Sequence, residues 1–423
     1  MLKSKLKEIM LDQRDYFFEK KEIIQRDILL NKYIETRQIV VITGIRRCGK
    51  STLMYLIKED LIKKTDKNNI LYLNFDDERF IDFKIDDFNN IYSIFLEEFN
   101  PEQNNIVFFF DEIQNSLGWE KFLNRMYEKG IKIFVTGSNA TLLSSEIATS
   151  LTGRNVVLEL FPFSFKEYLK LNNETFESTK LTTIKKTMIK RKFNDYVDMG
   201  GFPQVLRENN KELLKDYYND IFYRDIIARY SITKVKEMKI IGNFLASNIS
   251  KIYSYNTLKE ISGVKSISSI KNYLDYFENS FMFFGMNKYS DSFKKQMLSS
   301  KKMYCIDTGL ATTIGFSFSK NSGRLLENMI FIELRRRGKE IYYHHDKNEC
   351  DFVIKDNNKI ISAIQVTKEI SSDNEMGELQ GLLDAMKTYG LDSGLILTED
   401  QEEIIKIGDK TIELKPIWLW ILE

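Results

Sequence analysis

Five short apolar runs punctuate the N-terminal part of the chain: QIVVIT, NILYLNF, NIVFFF, KIFVT and NVVLEL. Helix-length segments separate them. Unbroken apolar runs alternating with helices predict a parallel sheet covered on both faces. The stretch before the first run, residues 1–35, reads as amphipathic helix, and the strand-rich unit ends near Pro162. Residues 163–232 read as helical, broken at Gly200-Gly201-Phe202-Pro203. Residues 233–310 suggest short helices and then a lysine-rich β-like pair. From about residue 311 one helix is followed by strands. No internal repeat is visible.

A chain of 423 residues holds two to four domains of ordinary size. Its content of 43% hydrophobic and 29% charged residues is that of a globular protein. A net charge of +1 excludes a polycation, so any nucleic-acid surface is local. The scattered Cys48, Cys305 and Cys350 argue against a disulfide scaffold or zinc ribbon and fit a reducing cytosol. The charged start has no signal-peptide apolar core, and no run approaches the ~20 residues of a membrane helix. The expectation is a soluble cytoplasmic protein with no membrane partner.

The first strand runs into Gly44-Ile45-Arg46-Arg47-Cys48-Gly49-Lys50-Ser51, which fits G-x-x-x-x-G-K-[ST] between a strand and a helix. Glycines let backbone wrap phosphates, and the helix N-terminus faces the anion. Lys50 is expected to reach the β- and γ-phosphates and Ser51 to hold Mg²⁺, with Thr52 beside it. The strand of IVFFFDEIQ ends in Asp111-Glu112: Asp111 suits the metal, and Glu112 suits polarising the attacking water. In KIFVTGSNA, Ser138 and Asn139 are placed to meet the γ-phosphate or the water, unless they serve as helix caps. Arg154, after the next helix, is a candidate arginine finger for a neighbouring subunit, with a salt bridge as the plainer alternative.

Taken together, GIRRCGKSTL, FFFDEIQ, VTGSNATLLS and LTGRNVVLELFPFSFKEY resemble the AAA+ ATPases of archaea and bacteria. The nearer resemblance is to the branch with a double arginine in the phosphate loop. It implies ATP as the nucleotide and Mg²⁺ as its ion. It also implies a homo-oligomer and an α/β fold in which a P-loop AAA+ parallel sheet is followed by further domains. In order these are an ATPase core (36–162), a helical lid (163–232), a winged helix (233–310) and a restriction-endonuclease-like, PD-(D/E)xK, domain (311–423), after an N-terminal helical segment (1–35). Arg207, just after GGFPQVL, is the candidate for the lid's sensor arginine.

Within 256–289, Asn256 is a possible cap for a helix that stops at Gly263. A second helix places Ile267, Ile270, Leu274 and Phe277 on one face. Its other face would expose Lys265, Ser268, Ser269, Lys271 and Asn272, while Lys294, Lys295, Lys301 and Lys302 gather in the following ribbon. Two helices, a glycine turn and a ribbon suit a winged helix-turn-helix that meets DNA. Asp275 and Glu278 on the same helix keep a protein-contact role open.

Further on, Glu327 shares a helix face with Ile330, Phe331 and Leu334, and a carboxylate there needs a partner or a metal. Strict alternation puts Glu349, Asp351 and Val353 on one strand face and Ala363, Gln365 and Thr367 on one face of the returning strand. A helix glutamate, a hairpin aspartate and E/Q-x-K is the pattern of restriction-endonuclease-like nucleases, in which the acids hold Mg²⁺ and the lysine assists water. Glu327, Asp351 and Gln365 are the matching residues, but Thr367 stands at the lysine position and Lys368 should face away. The fold is implied and cleavage is not. Alternatively, Glu327 and Asp351 pair with Arg335–Arg337 or nearby lysines. The adjacent His344 and His345 face opposite sides of a strand and predict no zinc site. The reading is an ATP-hydrolysing AAA+ protein acting on DNA. Its alternatives are a nucleotide-controlled switch gating a protein partner, and an ATP-controlled Mg²⁺-dependent nuclease.

Overall fold

All five apolar runs form strands: β1 Ile39–Thr43, β2 Ile70–Asn74, β3 Val107–Asp111, β4 Lys132–Gly137 and β5 Asn155–Glu159. They make one parallel sheet in the order β2-β3-β4-β1-β5. Every residue of β1 and β3 is buried, because helices cover both faces of a parallel sheet; β5, at an edge, is half-buried. This computed structural model describes the chain except residues 139–152, 175, 177–180, 317–321 and 372–374. The chain divides into two units, Met1–Phe161 and Pro162–Glu423.

The helices of the first unit are α1 Lys3–Phe18, α2 Leu30–Glu35, α3 Lys50–Leu61, α4 Asp87–Phe99 and α5 Trp119–Glu128. One sheet face buries Leu71, Phe108, Phe110, Ile133 and Val135 against Phe88, Phe95 and Phe122. The residues between them in the strands serve the other face, where Phe109 and Phe134 stack with centroids 4.9 Å apart. Residues 1–35 are therefore not a continuous helix: α1 ends at Phe18, and its Leu6, Ile9 and Met10 join the sheet core.

α1 also closes an edge of the sheet. The Gln13 amide accepts from Asn74 N at 2.8 Å and donates to Asn74 O at 3.2 Å, as a neighbouring strand would. Arg14 donates to Ile70 O at 2.6 Å. An unpaired strand edge invites aggregation, and these side chains occupy it. Hydrogen bonds from Arg79 chiefly, aided by Gln13 and opposed by burial, pull the Asp77 carboxyl down to about 2. Its folded pKa lies below the ordinary 3.8, so its stabilising contribution is full above that value and is lost as pH falls towards about 2. Asp77→Asn should therefore speed amide exchange in α1 near neutral pH, and the difference should shrink on acidification. A difference that stays constant with pH would contradict this.

The second unit begins with α6 Phe165–Leu171, α7 Thr183–Met199, α8 Pro203–Glu208 and α9 Leu213–Asp220, the last continuing into a π-helix, Ile221–Ala228. Ser164 and Glu167 form a reciprocal capping box on α6. α10 Val235–Ser247, α11 Tyr255–Ser262 and α12 Ile267–Asn279 accompany an antiparallel sheet of β6 Ile252–Tyr253, β8 Lys301–Cys305 and β7 Phe283–Asn287, in that order. α11 stops at the left-handed Gly263 as expected, but its cap is Ser254, whose hydroxyl accepts from Thr257 N; Asn256 lies inside the first turn. The ribbon between β7 and β8 is interrupted by α13 Phe293–Leu298, which carries Lys294 and Lys295.

α14 Thr308–Ile314 and α15 Ser322–Arg336 lead into a six-stranded mixed sheet. Its strands are β9 Glu340–His345, β10 Glu349–Asp356, β11 Lys359–Val366, β12 Ser393–Thr398, β13 Glu403–Ile407 and β14 Lys410–Pro416, in the order β13-β14-β12-β11-β10-β9. α16 Glu375–Tyr389 covers one face and α17 Ile417–Leu422 closes the chain. Among the described residues no helix is long and apolar enough to cross a membrane.

Candidate functional site

β1 ends at Thr43, and the chain turns through Gly44–Gly49 into α3. Gly44 has φ 147°, and a Cβ there would fall 2.1 Å from Leu160 O, so no other residue fits. Gly49, with φ 101°, caps α3, and Arg47 is also left-handed. Ile45 and Cys48 are fully buried beneath the loop, and burial raises the Cys48 thiol, so it is an inert packing group. Lys50 is only 6% exposed; its ammonium donates to Gly44 O at 3.1 Å and Ile45 O at 3.3 Å and lies 3.7 Å from Glu112 Oε1. Arg46, Arg47, Ser51 and Thr52 have their side chains partly or wholly exposed around this tight curve.

Asp111 closes β3 at 2% exposure. It accepts from Tyr72 OH at 3.3 Å and from the hydroxyl of Thr136, and the neighbouring Ser51 hydroxyl favours its charged form. Burial first, and then the Glu112 charge, raise its carboxyl. Burial works the same way on Glu112, but Lys50 above all, with Gln114, Arg46 and Ser138, outweighs it and holds that carboxyl below its ordinary value. Glu112 has φ 49°, and Thr136 Oγ1 accepts from its N–H at 2.9 Å. A non-glycine residue held left-handed stores strain of order 1 kcal/mol and is typical of a functional turn. Neighbouring carboxyls are thus driven in opposite directions. Lys50 favours the charged form of Glu112, the form a base or water-orienting group needs.

A family model described as "AAA domain" matches residues 36–169, and two models for domains of unknown function match 190–321 and 322–420. An uncharacterized protein of Methanocaldococcus jannaschii, MJ1544, is 39% identical over 434 residues, spanning 98% of this chain and 94% of its own. An uncharacterized protein of Haemophilus influenzae is 31% identical over 382 residues, spanning 87% and 92%. The chain belongs to the family of these proteins, and it carries an AAA domain. Among solved structures, AMPPCP-bound DnaA of Aquifex aeolicus matches at 12% identity over 59% of this chain and 84% of that one, with a TM-score of 0.27, a likeness too small to say anything of function.

In the AAA domain the remaining predicted residues fall in different places. Ser138 is 1% exposed and close enough to Glu112 to favour its charge, yet its hydroxyl finds no partner of good hydrogen-bond geometry. The buried Thr43 hydroxyl is likewise unpartnered. Two orphaned hydroxyls, a glycine cradle and a buried ammonium beside a carboxylate pair suit a Mg²⁺-nucleotide. Lys50 and the loop could hold its phosphates, Ser51 and Asp111 its ion. Asn139 lies outside the described residues. Arg154 precedes β5, where Asn155 pairs with Ile39 at the end of β1 remote from the phosphate loop. Its guanidinium donates to Asn124 at 3.0 Å and pairs with Glu128 at 3.2 Å. It is not part of this chain's own loop site. Arg207 lies on α8 in the second unit.

Thr136 and Arg26 were not foreseen. A hydroxyl at the end of an otherwise apolar buried strand was the available signal for Thr136. Arg26 donates to Cys48 O at 3.1 Å and Phe161 O at 2.7 Å, bracing the phosphate loop from a stretch with no periodic pattern to announce it.

The predicted nuclease-like residues of the second unit are all buried: Glu327 on α15, Asp351 on β10 and Gln365 on β11. A cation is already among them. Lys302 on β8, expected in an exposed phosphate-holding ribbon with Lys294, Lys295 and Lys301, is instead 1% exposed. Its ammonium lies 3.0 Å from Glu327, 2.6 Å from Glu349 and 2.9 Å from Asp351. Gln365 donates to Glu378 at 2.7 Å and accepts from Asp351 N at 3.1 Å, so both ends of its amide are engaged. Thr367 is buried, and Lys368 stands away, 3.9 Å from Glu399. Arg336 and Arg337 pair with Glu333. Burial, and then the Asp351 charge, push the Glu327 carboxyl up to about 8. The predicted alternation also fails: β10 carries a register shift between Cys350 and Val353, and both of these join one apolar cluster under α16. A bulge of this kind breaks the two-residue period. His344 is buried between Tyr389 OH at 3.0 Å and Asp384 at 3.3 Å, and His345 is exposed. Among the described residues no group of three acidic, histidine or cysteine side chains is arranged to hold a metal.

Proposed function

We propose that the protein binds ATP with Mg²⁺, hydrolyses it between neighbouring copies of its AAA domain, and couples the turnover to DNA. The observation that carries the ATPase reading is the buried Lys50 beside an anionic Glu112 at the end of a glycine cradle. Mg²⁺, which Ser51 and Asp111 would hold, would offset the charge of the phosphates. Lys50 exchanges the carbonyls of Gly44 and Ile45 for phosphate oxygens. Glu112, its backbone fixed by Thr136, orients a water and takes its proton. Ser138, and Asn139 by sequence position, contact the γ-phosphate or that water. Arg154 is remote from its own loop and serves the site of the next copy, which makes the active form an oligomer.

The DNA reading rests on α11 and α12, two helices joined through the Gly263 turn and accompanied by the small antiparallel sheet, a combination that supports a winged helix-turn-helix. Lys265, Ser268, Lys271 and Asn272 are exposed and Ser269 half-exposed, as a recognition face requires. Changing Lys265 and Lys271 together to glutamate should weaken duplex binding at least ~10-fold and flatten the salt dependence by about two counterions. Fluorescence anisotropy at several salt concentrations reads both. Binding equal to wild type would remove α12 as the DNA surface. One observation favours the partner-gating alternative: Phe293 and Leu298 of α13 are 77% and 76% exposed. It gains if DNA neither binds nor stimulates hydrolysis.

A further inference from the structure

An ammonium has three N–H donors, and three carboxylates surround that of Lys302: Glu327 Oε1 at 3.0 Å, Glu349 Oε1 at 2.6 Å and Asp351 Oδ1 at 2.9 Å. The positive centre on which these oxygens converge is a side chain of the protein itself. A divalent ion held by the same oxygens would sit about 2.0–2.6 Å from each, in the space the nitrogen fills. Ion and ammonium exclude one another. The neighbouring groups are committed in the same sense. The second Asp351 oxygen accepts from Val366 N at 3.0 Å, and Tyr304 OH donates to Glu327 at 2.7 Å.

We propose that Lys302 is the resident cation of this cluster, so that the C-terminal domain holds no divalent metal there and does not cut DNA. This stands apart from the ATPase reading. Lys302 lies in the segment matched as one domain, 190–321, and its three partners lie in the next, 322–420, so the ammonium also fastens β8 to α15 and β10. Removing one member of a buried charged network leaves the others uncompensated. Without Lys302, three carboxylates face an open centre, with a path to solvent past the half-exposed Glu349. A divalent cation then becomes their compensation.

Mn²⁺ is the probe, counted by electron paramagnetic resonance on the full chain without nucleotide. The wild type, Asp351→Asn, Lys302→Met and the double variant are compared. The wild type and Asp351→Asn should bind equal numbers of ions, Lys302→Met should bind one more, and the double variant should lose it. A loss of bound Mn²⁺ on changing Asp351 alone, or no gain in a folded Lys302→Met protein, would overturn the proposal. Should Lys302→Met fail to fold, amine labelling of the wild type decides. Lys302 should stay unmodified with and without Mn²⁺ while Lys294 and Lys301 react. Labelling of Lys302 on adding Mn²⁺ would show that the metal displaces it, and would equally overturn the proposal.

Discussion

Lys50→Ala protein should show no ATP hydrolysis above background and bind nucleotide at least ~100-fold more weakly. The magnitude corresponds to two charge-assisted hydrogen bonds of about 1.5 kcal/mol each. In the free protein this ammonium is spent on the carbonyls of Gly44 and Ile45, and phosphate oxygens are stronger acceptors for it. The loop should survive the change, because Gly44 fits beneath Leu160 and Arg26 still holds Cys48 O. The loss is then of binding and not of fold. Isothermal titration with ATP and Mg²⁺, with a melting curve as control, separates the two. Near-normal hydrolysis by a folded Lys50→Ala protein would remove the nucleotide assignment.

The second large effect divides binding from chemistry. Glu112→Gln keeps the shape beside Lys50 but removes the charge and the proton acceptor. ATP affinity should hold or rise, because the anion nearest the phosphates is gone. Turnover should fall by roughly 10²–10⁴. The same variant tests Arg154. Arg154→Ala should bind ATP normally and hydrolyse it slowly, since the residue lies at the far end of β1 from its own loop. Mixing the two inactive proteins restores sites that combine an intact Glu112 with a neighbour's intact Arg154. Activity absent at every mixing ratio would contradict supply in trans.

The parallel sheet was legible because strands covered on both faces are written as unbroken apolar runs, and its phosphate loop because glycine at a left-handed turn leaves no alternative. Asp111 and Glu112 could be read from their place at a strand tip. What escaped depends on contacts distant in sequence. The consecutive Lys301 and Lys302 lie on a short strand whose alternation sends one side chain inward, but the partners of Lys302 lie between 25 and 49 residues away. Nothing local tells which lysine is buried or what it meets. The extra residue of β10 is a matter of register against β9, and a strict two-residue period could not show it. Ser254 and Asn256 are both good caps, and the choice between them lay in where the chain leaves β6. A missing lysine in the Gln365-Val366-Thr367 triplet was visible in the sequence; the lysine that enters the cluster from β8 was not.

The central claim is that nucleotide turnover in the AAA domain is coupled to DNA. Steady-state ATP hydrolysis by the full chain, with single-stranded, double-stranded or no DNA at two salt concentrations, tests it most directly. Hydrolysis that DNA stimulates several-fold, with the stimulation fading at the higher salt, is the predicted result. Equal rates in every condition, or no hydrolysis in any, would contradict it.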